Sequence, residues 1–190
     1  MKEYIEDVKR AVQVMREGGI ILYPTDTIWG IGCDASNSAA VRRIFELKKR
    51  SDSKSMLSLI DSDAKLGYYV PDIPDVAYDL MDLAEKPLTI IYDNVRHMAP
   101  ELIAEDGSAG IRVTKEAFSQ ELCRRMGGAV VSTSANISGQ PSPANFSEIS
   151  AEIRAGVDYI VEYRQAEQTR SVASGIIKLG SGGLVKVIRE

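Results

Sequence analysis

The stretch IILYPTDTIWGIGCDA, residues 20–35, places a polar turn between two short apolar segments. IILYP (20–24) is a continuous apolar run that ends at a proline, which is typical of a buried strand. WGIGCDA (29–35) predicts a second short strand. The turn between them has a threonine on either side of Asp26, so it is either an elaborate turn or a turn that holds a ligand.

Helices and strands alternate along most of the chain around this stretch. Apolar residues at helical spacing predict helices over residues 3–17, 37–49, 75–86, 115–128 and 145–156. Short apolar runs predict further strands over residues 55–60, 87–94, 109–114, 129–134, 157–164, 174–179 and 184–190. The alternation predicts an α/β fold, and the crowded late strands favour a mixed sheet over a parallel one. Since no linker or repeat interrupts the pattern, we expect one domain over residues 1–190.

Composition narrows the classes of function. The 190 residues are 44% hydrophobic, enough for one core, and the net charge of −4 argues against a molecule that is basic over its whole surface. Cys33 and Cys123 lie far apart without CxxC spacing, so we expect reduced thiols and neither a zinc site nor a disulfide framework. The charged N-terminus is unlike a signal peptide, and no apolar run approaches the roughly 18 residues of a membrane span. We expect a cytoplasmic protein without membrane contact.

Familiar nucleotide-binding and metal-binding motifs do not occur in the sequence. There is no P-loop pattern, and GSGG (180–183) lacks the spacing of a dinucleotide-binding loop. His97 is the only histidine, which disfavours histidine-based metal sites and catalytic triads. We therefore expect no metal held by protein side chains, and the candidate chemistry lies in three polar clusters.

The first cluster is the turn around Asp26, and the second is LKKRSDSK, residues 47–54. In the second, Lys48 and Arg50 are two positions apart. On a helix such residues point in nearly opposite directions, whereas on an extended segment they share a face. If both bind one anion, the helix must end near Lys48. The alternative is a solvated basic helix end that complements the helix dipole.

The third cluster is STSANISG, residues 132–139, which follows a predicted buried strand. Thr133, Ser134 and Asn136 supply neutral donors there, and loops beyond strand ends are where α/β sheets usually bind ligands. Together with the lysine and arginine they could bind a polyphosphate without a P-loop. Taken alone, this cluster is better explained as an ordinary polar loop.

Taken together, the clusters resemble the threonylcarbamoyl-AMP synthase family (YrdC/TsaC-like). The matching segments, in order, are YPTDTIWGIGCDA (23–35), KKR (48–50), IRV (111–113) and STSANISG (132–139). The likeness covers about residues 18–189. It implies the family's short, single-domain form, an α/β domain whose twisted mixed sheet is flanked by helices around a concave basic cavity.

The resemblance also implies a reaction. L-threonine, bicarbonate (or CO2) and ATP, accompanied by Mg2+, would give threonylcarbamoyl-adenylate and pyrophosphate. The product would pass to a separate tRNA-modifying complex.

Residue by residue, the resemblance assigns roles to positions of this chain. Lys48 and Arg50 match the pair that contacts phosphates and are the candidate catalytic residues. Substrate or nucleotide binding is implied for Thr25, Thr27, Arg112, Thr133, Ser134, Asn136, Ser174 and Arg189. Two simpler readings stay open: Asp26 as a turn cap, and Arg112 as a structural ion-pair partner.

Some segments depart from the family pattern. A PGP-x-T segment is usual before the central strand, where this chain has EKPLT (85–89), and the late PST is replaced by ASG (173–175). These departures leave open a nucleotide sensor that has lost catalysis. The resemblance leaves open a second alternative, an RNA-binding module, since the family has been linked to structured RNA and a basic concave surface is implied. The acidic net charge weighs against RNA binding.

Overall fold

The fold is that of a computed structural model, which describes residues 3–49, 56–180 and 183–190. The strands of the described chain are β1 Ile21–Tyr23, β2 Gly30–Gly32, β3 Leu57–Ile60, β4 Leu88–Tyr92, β5 Ala109–Val113, β6 Val130–Ser134, β7 Tyr159–Ile160, β8 Gly175–Leu179 and β9 Val185–Arg189. The helices are α1 Ile5–Arg16, α2 Ser38–Leu47, α3 Leu66–Tyr69, α4 Val76–Leu83, α5 Ala117–Met126 and α6 Ala151–Gly156. Short 3-10 helices cover Asp63–Lys65, Pro100–Leu102 and Phe146–Glu148.

The strands form one nine-stranded sheet in the order β7-β1-β2-β6-β3-β5-β4-β8-β9. Pairing is parallel for β1 with β7, β3 with β5 and β4 with β8, and antiparallel for the other neighbours. The predicted α/β fold with a mixed sheet is confirmed. The opening stretch forms the antiparallel pair β1–β2, and the polar turn connects these two strands.

Side chains on the two faces of the sheet enter different apolar clusters, because successive strand residues point to opposite faces. On one face α1 and α5 pack together and cover Tyr23 and Val130. On the other face Leu22 and Val131 pack with α2. Further along β6, Ser132 points to the same face as Val130 but lies beyond the two covering helices. Helices α1 and α5 do not cover this part of the sheet, which forms the floor of the candidate site.

Gly32 of β2 lies where a backbone carbonyl and an aromatic ring both approach closely. A Cβ atom at this position would lie 2.5 Å from the Val131 carbonyl oxygen and 2.6 Å from Cε1 of Tyr23. Tyr23 is fully buried and its hydroxyl donates a hydrogen bond of 3.0 Å to the same carbonyl oxygen. The ring and the carbonyl are therefore fixed, and only glycine fits.

We expect Gly32→Ala to lower the free energy of unfolding by about 1–3 kcal/mol, because the added methyl group overpacks a rigid contact. Urea denaturation measures this value. The matched control is Gly67→Ala in α3, where a Cβ atom would meet no heavy atom within 4 Å. Gly67→Ala should leave stability unchanged or raise it, since alanine favours helix. Equal losses in the two variants would contradict this account.

The structure corrects several predicted boundaries. The helix expected over 145–156 is broken at Ser150, whose hydroxyl caps the shorter α6 by accepting from the Ile153 amide at 3.3 Å. The strand expected over 157–164 is reduced to β7, because the amides of Glu162 and Tyr163 bind the Asp7 carboxylate at 3.2 and 2.8 Å instead of a neighbouring strand.

A helical segment that the sequence analysis did not predict occupies residues 63–69, as a 3-10 turn followed by α3. It is short, so it gives a weak periodic signal. Among the described residues no helix has the length and apolar character that a membrane crossing needs.

Candidate functional site

A cavity of about 210 Å³ lies against the open part of the sheet, and we call it the central cavity. Alternation along the strands decides which side chains reach it. Thr89 of β4 and Gly110 and Arg112 of β5 line the cavity. The next residues along the two strands, Ile90 and Ile111, point to the other face and are buried in the core. The polar residues of its described lining are Thr27, Thr89, Arg112, Ser132, Thr133, Ser134, Ser142, Ser174 and Arg189. This lining holds two arginines and no carboxylate.

The turn between β1 and β2 is held by its own threonines. The hydroxyl oxygens of Thr25 and Thr27 are 3.0 Å apart, and Thr25 Oγ1 accepts from the Thr27 amide at 3.0 Å and donates to the Ile28 carbonyl at 2.8 Å. The i, i+2 spacing predicts that both threonines face the cavity with Asp26 pointing away. The two hydroxyls do lie together, but only one of them reaches the central cavity. Thr27 lines the central cavity, whereas Thr25 lines only a small neighbouring cavity. Asp26, between the two threonines, does not belong to the lining of the central cavity.

Arg112 is the buried cation of the central cavity, with only 2% of its side chain exposed. Its Nη2 lies 2.8 Å from Asp26 Oδ1 and 3.5 Å from Thr27 Oγ1. Among the described residues, neither Arg112 Nε nor Asp26 Oδ1 has a hydrogen-bond partner, so the two side chains are joined as an ion pair by charge and proximity. Burial lowers the pKa of Arg112 and raises that of Asp26, in each case against the pull of the opposite charge. The sequence analysis left open that Arg112 is a structural ion-pair partner. This ion pair is present, with Asp26, and it lies in the wall of the central cavity.

Lys48 does not line the central cavity, and its side chain instead holds the loop after β6. Helix α2 ends at Leu47, two residues before the predicted end at 49 and next to Lys48, as binding of one anion by Lys48 and Arg50 would require. Lys48 is 1% exposed. Its Nζ donates to the Ser134 carbonyl oxygen and, at 2.6 Å, to that of Asn136. The Lys48 carbonyl accepts from the Ser138 amide at 2.8 Å. The helix end and the loop are thus joined at three points.

Asn136 also shapes this loop from within. Its Nδ2 donates to the carbonyls of Ile137 at 3.0 Å and Gln140 at 2.8 Å, whereas its buried Oδ1 has no partner among the described residues. Asn136 lies outside the lining of the central cavity, while Thr133 and Ser134 belong to it. The turn that Asn136 stabilises follows these two residues directly.

Ser174 closes the far side of the central cavity. Its hydroxyl lies 2.9 Å from that of Thr89, and its carbonyl oxygen accepts from Arg189 Nε at 2.8 Å. Arg189 of β9 pairs with Ile176 in the sheet register, which brings the arginine to the cavity. The late serine and arginine therefore meet at one edge of the cavity.

Ten site residues were predicted, and six of them line the central cavity: Thr27, Arg112, Thr133, Ser134, Ser174 and Arg189. Arg50 lies outside the described residues. Sequence reasoning did not select Thr89 or Ser142, which also line the cavity. Alternation along β4 could have found Thr89, since it precedes the core residue Ile90. No sequence signal marks Ser142.

A comparison with known proteins agrees with this geometry. The Sua5/YciO/YrdC family model, described as "Telomere recombination", matches residues 13–190. The chain belongs to this family. Two relatives named threonylcarbamoyl-AMP synthase are 36% identical over 70% of this chain and 71% of theirs (Pseudomonas aeruginosa strain UCBPP-PA14) and 34% identical over 90% of both chains (Thiobacillus denitrificans).

Among solved structures, a variant of P. abyssi Sua5 (H234A/Y235A in that protein's own numbering) superposes with a TM-score of 0.84 at 25% identity. The match covers 97% of this chain and 53% of that one, so this chain spans about half the length of the P. abyssi protein. Family membership confirms the resemblance predicted from the four motifs. The names of the relatives bear out the expected class of enzyme, a nucleotidyltransferase.

Proposed function

We propose that this protein is a threonylcarbamoyl-AMP synthase, which forms threonylcarbamoyl-adenylate and pyrophosphate from L-threonine, bicarbonate or CO2, and ATP. The observation that carries the proposal is the makeup of the central cavity. Residues from three motifs far apart in sequence, represented by Thr27, Arg112 and Ser134, line it together. The relatives from Pseudomonas aeruginosa and Thiobacillus denitrificans are named as this enzyme.

The chemistry suits such a lining. The carbamate formed on the threonine amine attacks the α-phosphorus of ATP, and negative charge builds on the phosphate oxygens and the departing pyrophosphate. Transfers of this kind depend on positioning and electrostatic stabilisation. Arginine guanidinium and serine or threonine hydroxyl groups supply both without a strong acid or base.

We assign the roles as follows. Arg112, Thr133 and Ser134 bind the nucleotide phosphates, and Ser174 and Arg189 close the nucleotide side. Thr25 and Thr27 form the threonine side, with Thr27 in direct contact and Thr25 fixing its hydroxyl. Arg50 stays the proposed catalytic cation. Lys48, the other predicted catalytic residue, acts as a positioning residue instead, because its Nζ holds the loop that Asn136 shapes.

The remaining partners belong to the same proposal. Mg2+ enters with ATP as part of the substrate, bound mainly through phosphate oxygens. The product is handed to a separate tRNA-modifying complex in the cytoplasm, and one domain over residues 1–190 carries the activity. Weak RNA binding, if it accompanies this activity, would show a steep dependence on salt concentration.

We expect threonine-dependent release of pyrophosphate when the protein is incubated with ATP, Mg2+, L-threonine and fresh bicarbonate. A coupled pyrophosphate assay and chromatography of the adenylate measure the two products. Reactions without threonine, and reactions with glycine in its place, are the controls. Binding of ATP with no pyrophosphate release under any of these conditions would favour the nucleotide sensor and overturn the proposal.

A further inference from the structure

Behind the wall of the central cavity lies a second, larger cavity of about 530 Å³. Six acidic residues line it, namely Asp26, Asp61, Asp63, Asp82, Glu85 and Glu116, against two lysines, Lys86 and Lys115. We call it the acidic cavity. The two cavities have no lining residue in common, and the Asp26–Arg112 ion pair joins them.

The pair crosses the wall between the cavities. Asp26 lines the acidic cavity and Arg112 lines the central cavity. Their side chains are 14% and 2% exposed, and Asp26 Oδ1 lies 2.8 Å from Arg112 Nη2. At this burial the pair interacts with much less solvent screening than a surface pair. The carboxylate therefore limits which way the guanidinium turns.

Resting on the proposed function, we propose that Asp26 is a positioning residue for this reaction. Its carboxylate holds one edge of the Arg112 guanidinium from behind the wall. Thr27 Oγ1, at 3.5 Å from Nη2, gives weaker support on the same edge. The Nε donor, which has no partner among the described residues, is then left for an anion in the central cavity. Asp26 itself touches no substrate.

Other charged groups face Asp26 and set when it is ionised. Arg112 and Arg164 favour its charged form, whereas Glu116 disfavours it. Burial has the largest effect, so the pKa of Asp26 lies above the usual range of an aspartate. The remaining acidic residues and both lysines of the acidic cavity lie further along the same lining. As pH falls through the raised pKa, Asp26 becomes neutral and Arg112 loses its partner.

The first test is the pH dependence of kcat/KM. In the wild type we expect an acid limb above the usual aspartate range. Asp26→Asn should lower kcat/KM about tenfold at neutral pH and lack this limb, so that the two proteins converge at low pH. Asp26→Glu, which restores the charge, should recover part of the activity and the limb. Parallel profiles for wild type and Asp26→Asn would overturn the inference, since a purely structural loss does not remove a titration.

The second test does not depend on the reaction. The Nε–H signal of Arg112 can be followed by ¹⁵N NMR and assigned by its loss in Arg112→Lys. We expect its chemical shift to change with pH in the wild type, with the same midpoint as the acid limb of kcat/KM. In Asp26→Asn the chemical shift should stay constant over this pH range. A signal that titrates identically in both proteins would show that Asp26 does not control Arg112. If the wild type releases no pyrophosphate, the proposed function fails and this titration still decides the inference.

Discussion

Arg112→Met lowers kcat/KM for pyrophosphate release by about 10²–10³-fold, the expected effect of removing one preorganised donor from a site that stabilises developing charge. Methionine keeps much of the length and apolar stem of the side chain but none of its N–H groups. The pyrophosphate assay measures the loss. The matched control is Arg170→Met, because Arg170 is 75% exposed and forms a surface ion pair with Glu148 at 3.1 Å. Arg170→Met should stay within about twofold of the wild type, since exposed pairs contribute little.

The same substitution separates binding from folding. Arg112→Met leaves the buried Asp26 without its opposite charge, and we expect a loss of about 3 kcal/mol in the free energy of unfolding near neutral pH. The double variant Asp26→Asn/Arg112→Met removes both charges and should recover most of this stability without recovering activity. If the double variant regains activity together with stability, Arg112 serves only the fold and its assigned role is wrong.

Lys48→Met is expected to have the second large effect. It removes the donor to two partly buried carbonyl oxygens, those of Ser134 and Asn136. Leaving buried acceptors without a partner costs about 1–3 kcal/mol each, so we expect a loss of about 2–4 kcal/mol in urea denaturation. Activity should fall by at least 10²-fold, because the loop that follows Ser134 loses its attachment to the end of α2.

Lys49→Met is the matched control for Lys48. The neighbouring lysine is 65% exposed and pairs with Glu152 at 2.8 Å on the surface. This variant should lose less than about 1 kcal/mol and keep its activity. Equal effects at the two positions would mean that the basic helix end acts as a general patch of charge, which was the simpler interpretation of the sequence.

The sequence predicted the elements well where each has a strong local pattern. Alternation on β4, β5 and β6, and the apolar stripes of α1, α2 and α5, decide which faces are buried. The break at Ser150 was not predicted, because a serine inside a helical pattern can either continue the helix or cap a new one. The end of β7 depends on Asp7, more than 150 residues earlier in the chain, and no local pattern contains that contact.

The site was predictable as a set of motifs but not as a set of contacts. The i, i+2 spacing of Thr25 and Thr27 placed both hydroxyls on one side of the turn. The burial of Lys48 against backbone carbonyls could not be predicted, since a charged residue at a helix end is usually exposed. The pairing of Asp26 with Arg112 joins the turn after β1 to strand β5, and only the folded sheet brings these two segments together.

The central position of β6 and β5 in the sheet has a consequence for how the cavity is built. Its floor consists of strands that have a partner on both sides, and Arg112 and Ser132 stand on them. Such strands separate only when the whole domain unfolds. A substrate held on this floor therefore stabilises the entire fold, by an amount that grows with its concentration relative to its dissociation constant.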